Sequence, residues 1–226
     1  MTSRSFVITG GFGVLGQAVA RAALAAGGKV ALIDFAPSNR TPLAGAVEIG
    51  GVDLSDEAQA RAAMDKAAAV LGGLDVLVNV AGGFVWQTLE DGDLAAWSRM
   101  FSLNTLTCAT ACETALPHLL ASPAGRIVSV GAGGAVKAGA GMGAYAASKA
   151  GVHRLTESLA EELKGRVTVN AVLPSIIDTP TNRADMPDAD VTAWVTPEEV
   201  SAAILWLASE AAGGVTGALL PVSGRV

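Results

Sequence analysis

Charged and aromatic residues are both scarce in this sequence. Charged residues make up 16% of its 226 residues, aromatic residues make up 4%, and the formal net charge is -6. Lysine and arginine form no cluster, so neither nucleic acid nor an anionic membrane is an expected partner. No apolar run reaches the roughly 18 residues of a membrane span. The N-terminus has no signal-peptide hydrophobic region, and the expected location is the cytoplasm.

Cysteine and histidine are also rare. Cys108 and Cys112 lie four residues apart in a helical segment, and the two histidines, His118 and His153, are not spaced to complete a metal site with them. We therefore predict no metal, and cysteines that pack in a helix within a reducing compartment. His153 follows Lys149 by four residues and is predicted to be a helix-face residue without a catalytic role.

Apolar residues are plentiful, at 51% of the chain, which is enough for the core of one large domain. Short β-rich runs alternate with helical runs from one end of the chain to the other. Most of the β-rich runs are continuously apolar, which is typical of a parallel sheet covered on both faces. The predicted fold class is a single α/β domain over residues 1–226, with a doubly wound parallel sheet and helices on both faces.

The element boundaries follow from these runs and their flanking signals. Ser55 is predicted to cap the second helix, and Thr196 with Glu199 is predicted to form a capping box at the last one. Predicted strands cover Phe6–Thr9, Lys29–Asp34, Ala46–Ile49, Leu74–Val80, Arg126–Val130, Arg166–Leu173 and Gly217–Val222. Predicted helices cover Val14–Ala26, Ser55–Val70, Leu94–Leu120, Met142–Lys164 and Pro197 to about Ala211, with an irregular segment over 174–194.

A glycine-rich loop joins the first strand to the first helix. Glycines at 10, 13 and 16 allow a tight turn, close approach of the backbone to phosphate, and tight packing of helix on strand. The following helix offers free N–H groups and the positive end of its dipole to a pyrophosphate. We predict a dinucleotide site whose loop residues are Gly10, Phe12, Gly13, Val14, Leu15 and Gly16.

Asp34 ends the second predicted strand, 18 residues beyond Gly16. A carboxylate at this position can accept hydrogen bonds from both ribose hydroxyls of an adenosine, and it would repel a 2′-phosphate. The nearest arginine is Arg40. The sequence therefore favours NAD(H) over NADP(H).

Tyr145 and Lys149 lie four residues apart in a helical run, so their side chains share one helix face. A free tyrosine has a pKa of about 10, which is high for proton transfer near neutral pH. A nearby cation favours phenolate, so we expect Lys149 to lower the pKa of Tyr145 and make it a general acid/base. Taken alone, the pair is also compatible with an ordinary helix surface.

Taken together, these motifs resemble the short-chain dehydrogenases/reductases, and the resemblance covers essentially the whole chain. It implies a single Rossmann-type domain, an NAD(P)(H)-dependent oxidoreductase, and the catalytic residues Tyr145, Lys149 and Asn104. It further implies that Lys149 holds the nicotinamide ribose and that Asn104 organises a proton relay. The implied cofactor contacts outside the glycine loop and Asp34 are Asp53, Leu54, Asn79, Ala81, Gly82, Tyr145, Lys149, Pro174, Ile176, Ile177 and Thr179.

The sequence departs from the family pattern at two places. Val14 gives the glycine loop a spacing that also occurs in the extended, epimerase-like branch, but the chain has no room for that branch's C-terminal substrate domain. The family's catalytic Ser lies about thirteen residues before the Tyr, and that position here is Ala132. One donor to the substrate oxygen is then absent, unless Ser129 or the glycine-rich loop over 131–143 supplies another.

The arrangement around Ala132 is similar to that of dihydropteridine reductases. Their activated quinonoid substrate depends less on a hydrogen-bond donor to the substrate oxygen. The favoured function is therefore hydride transfer to or from a carbonyl, alcohol or quinonoid substrate, with Tyr145 as acid/base. The alternative is a dinucleotide-binding protein with weak or no turnover. The resemblance also implies a short substrate lid at about 175–195, which contains Met186 and Trp194, a pocket wall at Trp86, and a homodimer or homotetramer.

Overall fold

The computed structural model describes residues 4–225. Its centre is one sheet of seven strands, in which every paired neighbour is parallel. The strands are β1 Ser5–Thr9, β2 Lys29–Ile33, β3 Ala46–Ile49, β4 Val76–Asn79, β5 Gly125–Val130, β6 Val167–Pro174 and β7 Leu219–Val222. This confirms the predicted fold class.

The strand order is β3-β2-β1-β4-β5-β6-β7, so the chain starts in the middle of the sheet and winds outwards in both directions. Thr9 at the end of β1 is level with Ile33 on one side and Asn79 on the other. The direction of winding reverses between β1 and β4. In open α/β sheets the crevice for a ligand lies beyond the carboxyl ends of the strands at this reversal.

Helices cover both faces of the sheet. They are α1 Val14–Ala25, α2 Glu57–Leu71, α3 Ala95–Met100, α4 Thr107–Ala121, α5 Gly143–Glu162, α6 Pro180–Asp185 and α7 Pro197–Leu207. Alternate strand residues point to opposite faces: Val7 packs in a cluster with α2, α4 and α5, and Ile8 packs in one with α1 and α7. Both faces of the sheet are therefore buried, as the continuous apolar runs predicted.

The long helix predicted over Leu94–Leu120 is interrupted. A π-helical turn, Phe101–Leu106, separates α3 from α4. Such turns hold one extra residue per turn, and they occur often at functional sites. Asn104 lies in this turn and is 1% exposed. A periodicity of 3.6 residues cannot reveal one extra residue, so the sequence predicted a continuous helix.

Two helix ends also differ from prediction. The N-cap of α2 is Asp56, whose carboxylate accepts from the N–H groups of Ala58 and Gln59. Ser55, the predicted cap, donates its hydroxyl to Asp53 instead. The last helix ends at Leu207, before a separate 3₁₀ turn over Glu210–Ala212.

The capping box of α7 forms as predicted, with Thr196 and Glu199 each accepting from the other's backbone N–H. Within residues 4–225, no helix combines the length and apolar character needed to cross a bilayer.

Candidate active site

A groove of about 950 Å³ lies over the carboxyl edge of the sheet, where the strand order reverses. The loops after β1, β2, β3 and β4 and the π-helical turn form most of its walls. It is lined by Gly10, Phe12, Gly13, Val14, Leu15, Gly16, Asp34, Phe35, Ala36, Ser38, Arg40, Val52, Asp53, Leu54, Ser55, Val80, Ala81, Gly82, Arg99, Ser102, Leu103, Thr107, Thr179 and Thr181.

Two glycines of the loop are required by the protein's own packing. Gly10 has a φ of 62°, and a Cβ there would lie 2.8 Å from the backbone of Ala81. A Cβ on Gly16 would lie 2.3 Å from the carbonyl oxygen of Gly10. These contacts bring the first turn of α1 directly against the end of β1, as the motif predicted.

Gly13 is different, because the protein itself does not require a glycine there. Its φ is negative, and a Cβ would meet only the carbonyl oxygen of Gly10, at 3.4 Å. Gly13 is exposed to the groove at the N-terminus of α1, where no side chain caps the free N–H groups. The open space and free donors fit a phosphate that approaches the backbone closely.

Asp34 lies at the groove and also braces the glycine loop. Its Oδ2 accepts from the N–H of Phe12 at 2.9 Å, and its Oδ1 accepts from the N–H of Ala36 at 2.9 Å. The carboxylate is therefore fixed in position at the rim where the adenosine ribose of a dinucleotide is expected. Asp34 thus places a negative charge at this rim. Arg40 also lines the groove.

Lys149 is buried at the end of β5. Its Nζ donates to the carbonyl oxygen of Val130 at 2.8 Å, and the residue is 6% exposed. Burial lowers the pKa of Lys149 to about 8. A Cβ on Gly82 would lie 3.3 Å from this Nζ and 2.5 Å from Oδ1 of Asn104, so only glycine fits between them.

Tyr145 lies one turn before Lys149 on α5, partly buried. Its ring meets Phe84 edge to face, with centroids 4.9 Å apart. Burial raises the pKa of Tyr145 to about 12. The expected lowering by Lys149 is therefore not observed: desolvation of the phenol dominates, and the ammonium is engaged with Val130.

Asn104 is tied to the Tyr145 helix through one hydroxyl. Its Nδ2 donates to Ser148 Oγ at 2.9 Å, and Ser148 donates to the carbonyl oxygen of Tyr145 at 2.7 Å. Asn104 also accepts from the N–H of Gly83 and donates to its carbonyl oxygen. The π-helical turn thus connects the end of β4 to α5. Ser148 was not singled out from the sequence, although it directly precedes Lys149.

Ala132 is 5% exposed and directly follows the strand residues that contact Lys149. Ser129, considered above as a replacement donor, is 2% exposed and lies within β5. Its Oγ accepts from Asn79 Nδ2 at 3.2 Å and lies 3.5 Å from Cys108 Sγ. Ser129 therefore belongs to the packed interior behind the sheet edge.

Phe84, whose ring meets Tyr145, belongs to a short segment that is bonded to the 131–142 loop. Trp86 donates its Nε1 to the carbonyl oxygen of Ala140 at 3.0 Å, and its indole lies over Gly141, where a Cβ would be 2.2 Å from the ring. Gln87 N–H donates to the carbonyl oxygen of Gly141. These contacts hold segment 84–87 against the end of the 131–142 loop.

The segment over 175–195 contains α6 and a 3₁₀ turn, Val191–Ala193. Ile177 pairs with Val195, and Thr179 caps α6 by accepting from the N–H of Asn182. Trp194 is 3% exposed and therefore packs inside the protein. Met186 is half-buried at the end of α6.

The comparisons with known proteins identify the family. Residues 4–190 match the sequence model of a protein family, which is described as short chain dehydrogenase. The chain belongs to the short-chain dehydrogenase family. It is 37% identical over 240 residues to a cis-4-hydroxycyclohexanecarboxylate dehydrogenase of Sinomonas cyclohexanicum, covering 98% of this chain and 95% of that protein.

Two solved structures of related proteins hold cofactors. A short chain dehydrogenase from Burkholderia cenocepacia, in complex with NADP, has a TM-score of 0.89 and 32% identity, covering 98% of this chain and 96% of that one. A 3-ketoacyl-(acyl-carrier-protein) reductase from Brucella melitensis, complexed with NADH, has a TM-score of 0.87 and 25% identity, covering 98% of each chain. This short-chain dehydrogenase is a nicotinamide-dependent oxidoreductase.

Most of the cofactor residues predicted from the sequence line the groove of this short-chain dehydrogenase. They are Gly10, Phe12, Gly13, Val14, Leu15, Gly16, Asp34, Asp53, Leu54, Ala81, Gly82 and Thr179. Asn79, Tyr145, Lys149, Pro174, Ile176 and Ile177 lie outside that lining. Asn79 is 4% exposed, and its Nδ2 donates to Cys112 Sγ and Ser129 Oγ behind the sheet edge.

Sequence reasoning missed several groove residues. Thr107 follows Asn104 by three residues, Leu103 directly precedes Asn104, and Thr181 follows Thr179 by two residues. A search for neighbours of the predicted residues on the same helix face would have found Thr107. Arg99 and Ser102 gave no such signal.

The two loop glycines make a matched test of the groove. Gly13→Ala is expected to leave thermal stability unchanged but weaken dinucleotide binding by about tenfold or more, because its methyl group enters the phosphate space. Gly16→Ala is expected to lower the melting temperature, since its Cβ collides with Gly10. Calorimetric titration with NADH and thermal melts measure the two effects. Unaltered NADH affinity in Gly13→Ala would contradict the placement of the phosphates.

Lys149→Met is expected to raise the free energy of unfolding at pH 7 by about 1–2 kcal/mol, since it removes a buried charge. The folded pKa of Lys149 is about 8 against an ordinary value of 10.5. The unfolded chain therefore binds more protons between these values, and wild-type stability should rise with pH across that window. Urea unfolding from pH 7 to 10.5 measures this rise, which should vanish in Lys149→Met and persist in the surface control Lys164→Met.

Proposed function

We propose that Tyr145 is the proton donor and acceptor of this oxidoreductase, with Lys149 and Asn104 in support. The observation that carries the proposal is the convergence of these three residues at the carboxyl ends of β4 and β5. Gly82 separates Asn104 from Lys149 with no room for a side chain. Within residues 4–225, the Tyr145 hydroxyl makes no hydrogen bond, so it is free to meet a substrate oxygen.

Each of the three residues has a distinct task in hydride transfer. A nicotinamide ring, when bound, supplies or accepts the hydride. Tyr145 then gives a proton to the developing substrate oxyanion in reduction, or takes it from the alcohol in oxidation. Lys149 is a cation close to the site, positioned to bind the hydroxyls of the nicotinamide ribose. Its positive charge favours the phenolate form of Tyr145. Asn104 fixes Ser148 and thereby the backbone of Tyr145.

We infer that NAD(H) is preferred over NADP(H). The support is the Asp34 carboxylate, held in place by two backbone N–H groups at the groove rim. A 2′-phosphate at this rim would meet that negative charge. Cofactor contacts by Asn79, Pro174, Ile176 and Ile177 are part of the same proposal.

We also infer that the substrate is a neutral, largely apolar carbonyl or quinonoid compound. Ala132 offers the substrate oxygen no hydroxyl, the ring of Phe84 meets Tyr145 edge to face, and Trp86 lies against Gly141 in the adjoining loop. A conjugated acceptor spreads its developing charge, so it depends less on a second donor. Segment 175–195 would close over such a substrate as a short lid.

A second candidate is a dinucleotide-binding protein with weak turnover. The buried Ala132 favours it, because Ser129, the hydroxyl considered as a replacement donor, is packed in the interior. The hydrogen-bonded link from Asn104 to Tyr145 argues against it, since binding alone does not require that link.

We further propose a homodimer or homotetramer located in the cytoplasm, by likeness to the family.

Cofactor preference is tested at Asp34. The wild type is expected to use NADH with a kcat/KM at least about tenfold above that for NADPH. Asp34→Asn keeps one amide oxygen as acceptor but removes the charge, and should shrink this ratio by about tenfold. Steady-state assays with both cofactors measure it. Equal use of both cofactors by the wild type would refute the preference.

Catalysis and substrate class are tested by two substitutions. Tyr145→Phe is expected to lower kcat by about 10²–10⁴-fold on a panel of ketones, quinones and quinonoid pterins, with NADH affinity unchanged. Ala132→Ser should leave turnover of conjugated substrates within about threefold. A gain of about 10²-fold on plain ketones in Ala132→Ser, without wild-type turnover of any conjugated compound, would instead identify a disabled site.

A further inference from the structure

The backbone that leaves β5 is held at three consecutive residues. Lys149 Nζ donates to the carbonyl oxygen of Val130 at 2.8 Å, and the N–H of Gly131 donates to Val172 at 2.8 Å. The N–H of Ala132 donates to Nε2 of His153 at 3.3 Å. Over 133–136, the backbone bonds among described residues stay inside the loop. Among the described residues, His153 thus ties the start of this loop to the helix that carries Tyr145.

The His153 ring is closely packed against this backbone. It is 3% exposed, and a Cβ on Gly131 would lie 2.6 Å from Nε2. Because Nε2 accepts a hydrogen bond from an amide, it carries no proton, and the proton of the neutral ring is on Nδ1. A protonated ring would present a donor to the Ala132 N–H, and the attachment would be lost.

We propose that His153 is a positioning residue: its neutral ring holds Ala132, at the start of the 131–142 loop, in place beside Tyr145, and protonation of the ring releases that end of the loop. The loop leads directly into the N-terminus of α5, and its Met142 reaches back to Gly134. Because Ala132 supplies no hydroxyl, the substrate depends on the loop's packing for its alignment with Tyr145. The part of this inference that concerns turnover rests on the proposed function.

Burial and the neighbouring charges favour the neutral form of the His153 ring. Burial is the main cause that lowers the pKa of His153, and Arg154 and Lys149 act in the same direction, while Glu157 opposes them. The ordinary pKa of histidine is about 6.5. The attachment should therefore persist above that pH and be lost as the pH falls through the lower value. Turnover should fall on the same acid limb.

The sequence contains only two histidines, so the acid limb can be assigned by substitution. His153→Gln places an amide oxygen near the former Nε2, which keeps an acceptor that does not titrate. In this variant, kcat near pH 7 should stay within about threefold of wild type, and the acid limb below about pH 6.5 should disappear. The control is His118→Gln, which removes a surface histidine that pairs with Asp65. In this variant the acid limb of turnover should remain.

His153→Phe keeps a ring of similar shape without an acceptor. It should lower kcat by about tenfold with NADH affinity unchanged, and the amide of Ala132 should exchange about tenfold faster with deuterium. Gly131→Ala should produce the same faster exchange while retaining the histidine, because the new methyl group displaces the ring.

Exchange at Ala132 is measured without substrate or cofactor, so it separates this inference from the proposed function. Unchanged exchange in both His153→Phe and Gly131→Ala, or an acid limb that persists in His153→Gln, would overturn the role of His153. Faster exchange in a wild-type protein that lacks turnover on the whole panel would count against the proposed function alone.

Discussion

The buried ammonium of Lys149 is the constraint on which the site depends. Its Nζ binds the carbonyl oxygen of Val130 and joins α5 to the end of β5. The same helix then brings Tyr145 to the sheet edge one turn earlier and His153 to Ala132 one turn later. A buried charge is costly, and burial lowers the pKa of Lys149 to about 8. Proteins commonly accept such a cost where function requires the charge.

Much of the fold could be predicted because the sequence encodes it locally. Most β-strands are short, largely apolar runs, and Gly10 and Gly16 occupy positions that only glycine fits. The carboxylate of Asp34 was placed correctly at the groove because its position follows from the end of β2. These features depend on residues within one strand, turn or helix, so one sequence is enough to find them.

The features that were missed depend on contacts between distant segments. The π-helical turn at Asn104 follows from the fit of that amide between Gly83 and Ser148, which periodicity cannot show. The pKa of Tyr145 was predicted in the wrong direction because spacing on a helix gives proximity but not burial. His153 was predicted to be a helix-face residue, and its bond to the Ala132 backbone could not be foreseen, because it joins residues that lie 21 positions apart in the sequence.

The raised pKa of Tyr145 has a consequence for the direction of proton transfer. At about 12, the phenol stays protonated over the whole physiological range, so a proton is always available for an oxyanion formed by reduction. An alkoxide is far more basic than a phenolate, and transfer to it remains downhill. Oxidation would instead require phenolate, which depends on the cation of Lys149 turning towards the phenol. In the proposed mechanism, the protonated phenol is the form that acts in reduction, and the phenolate is the form that acts in oxidation.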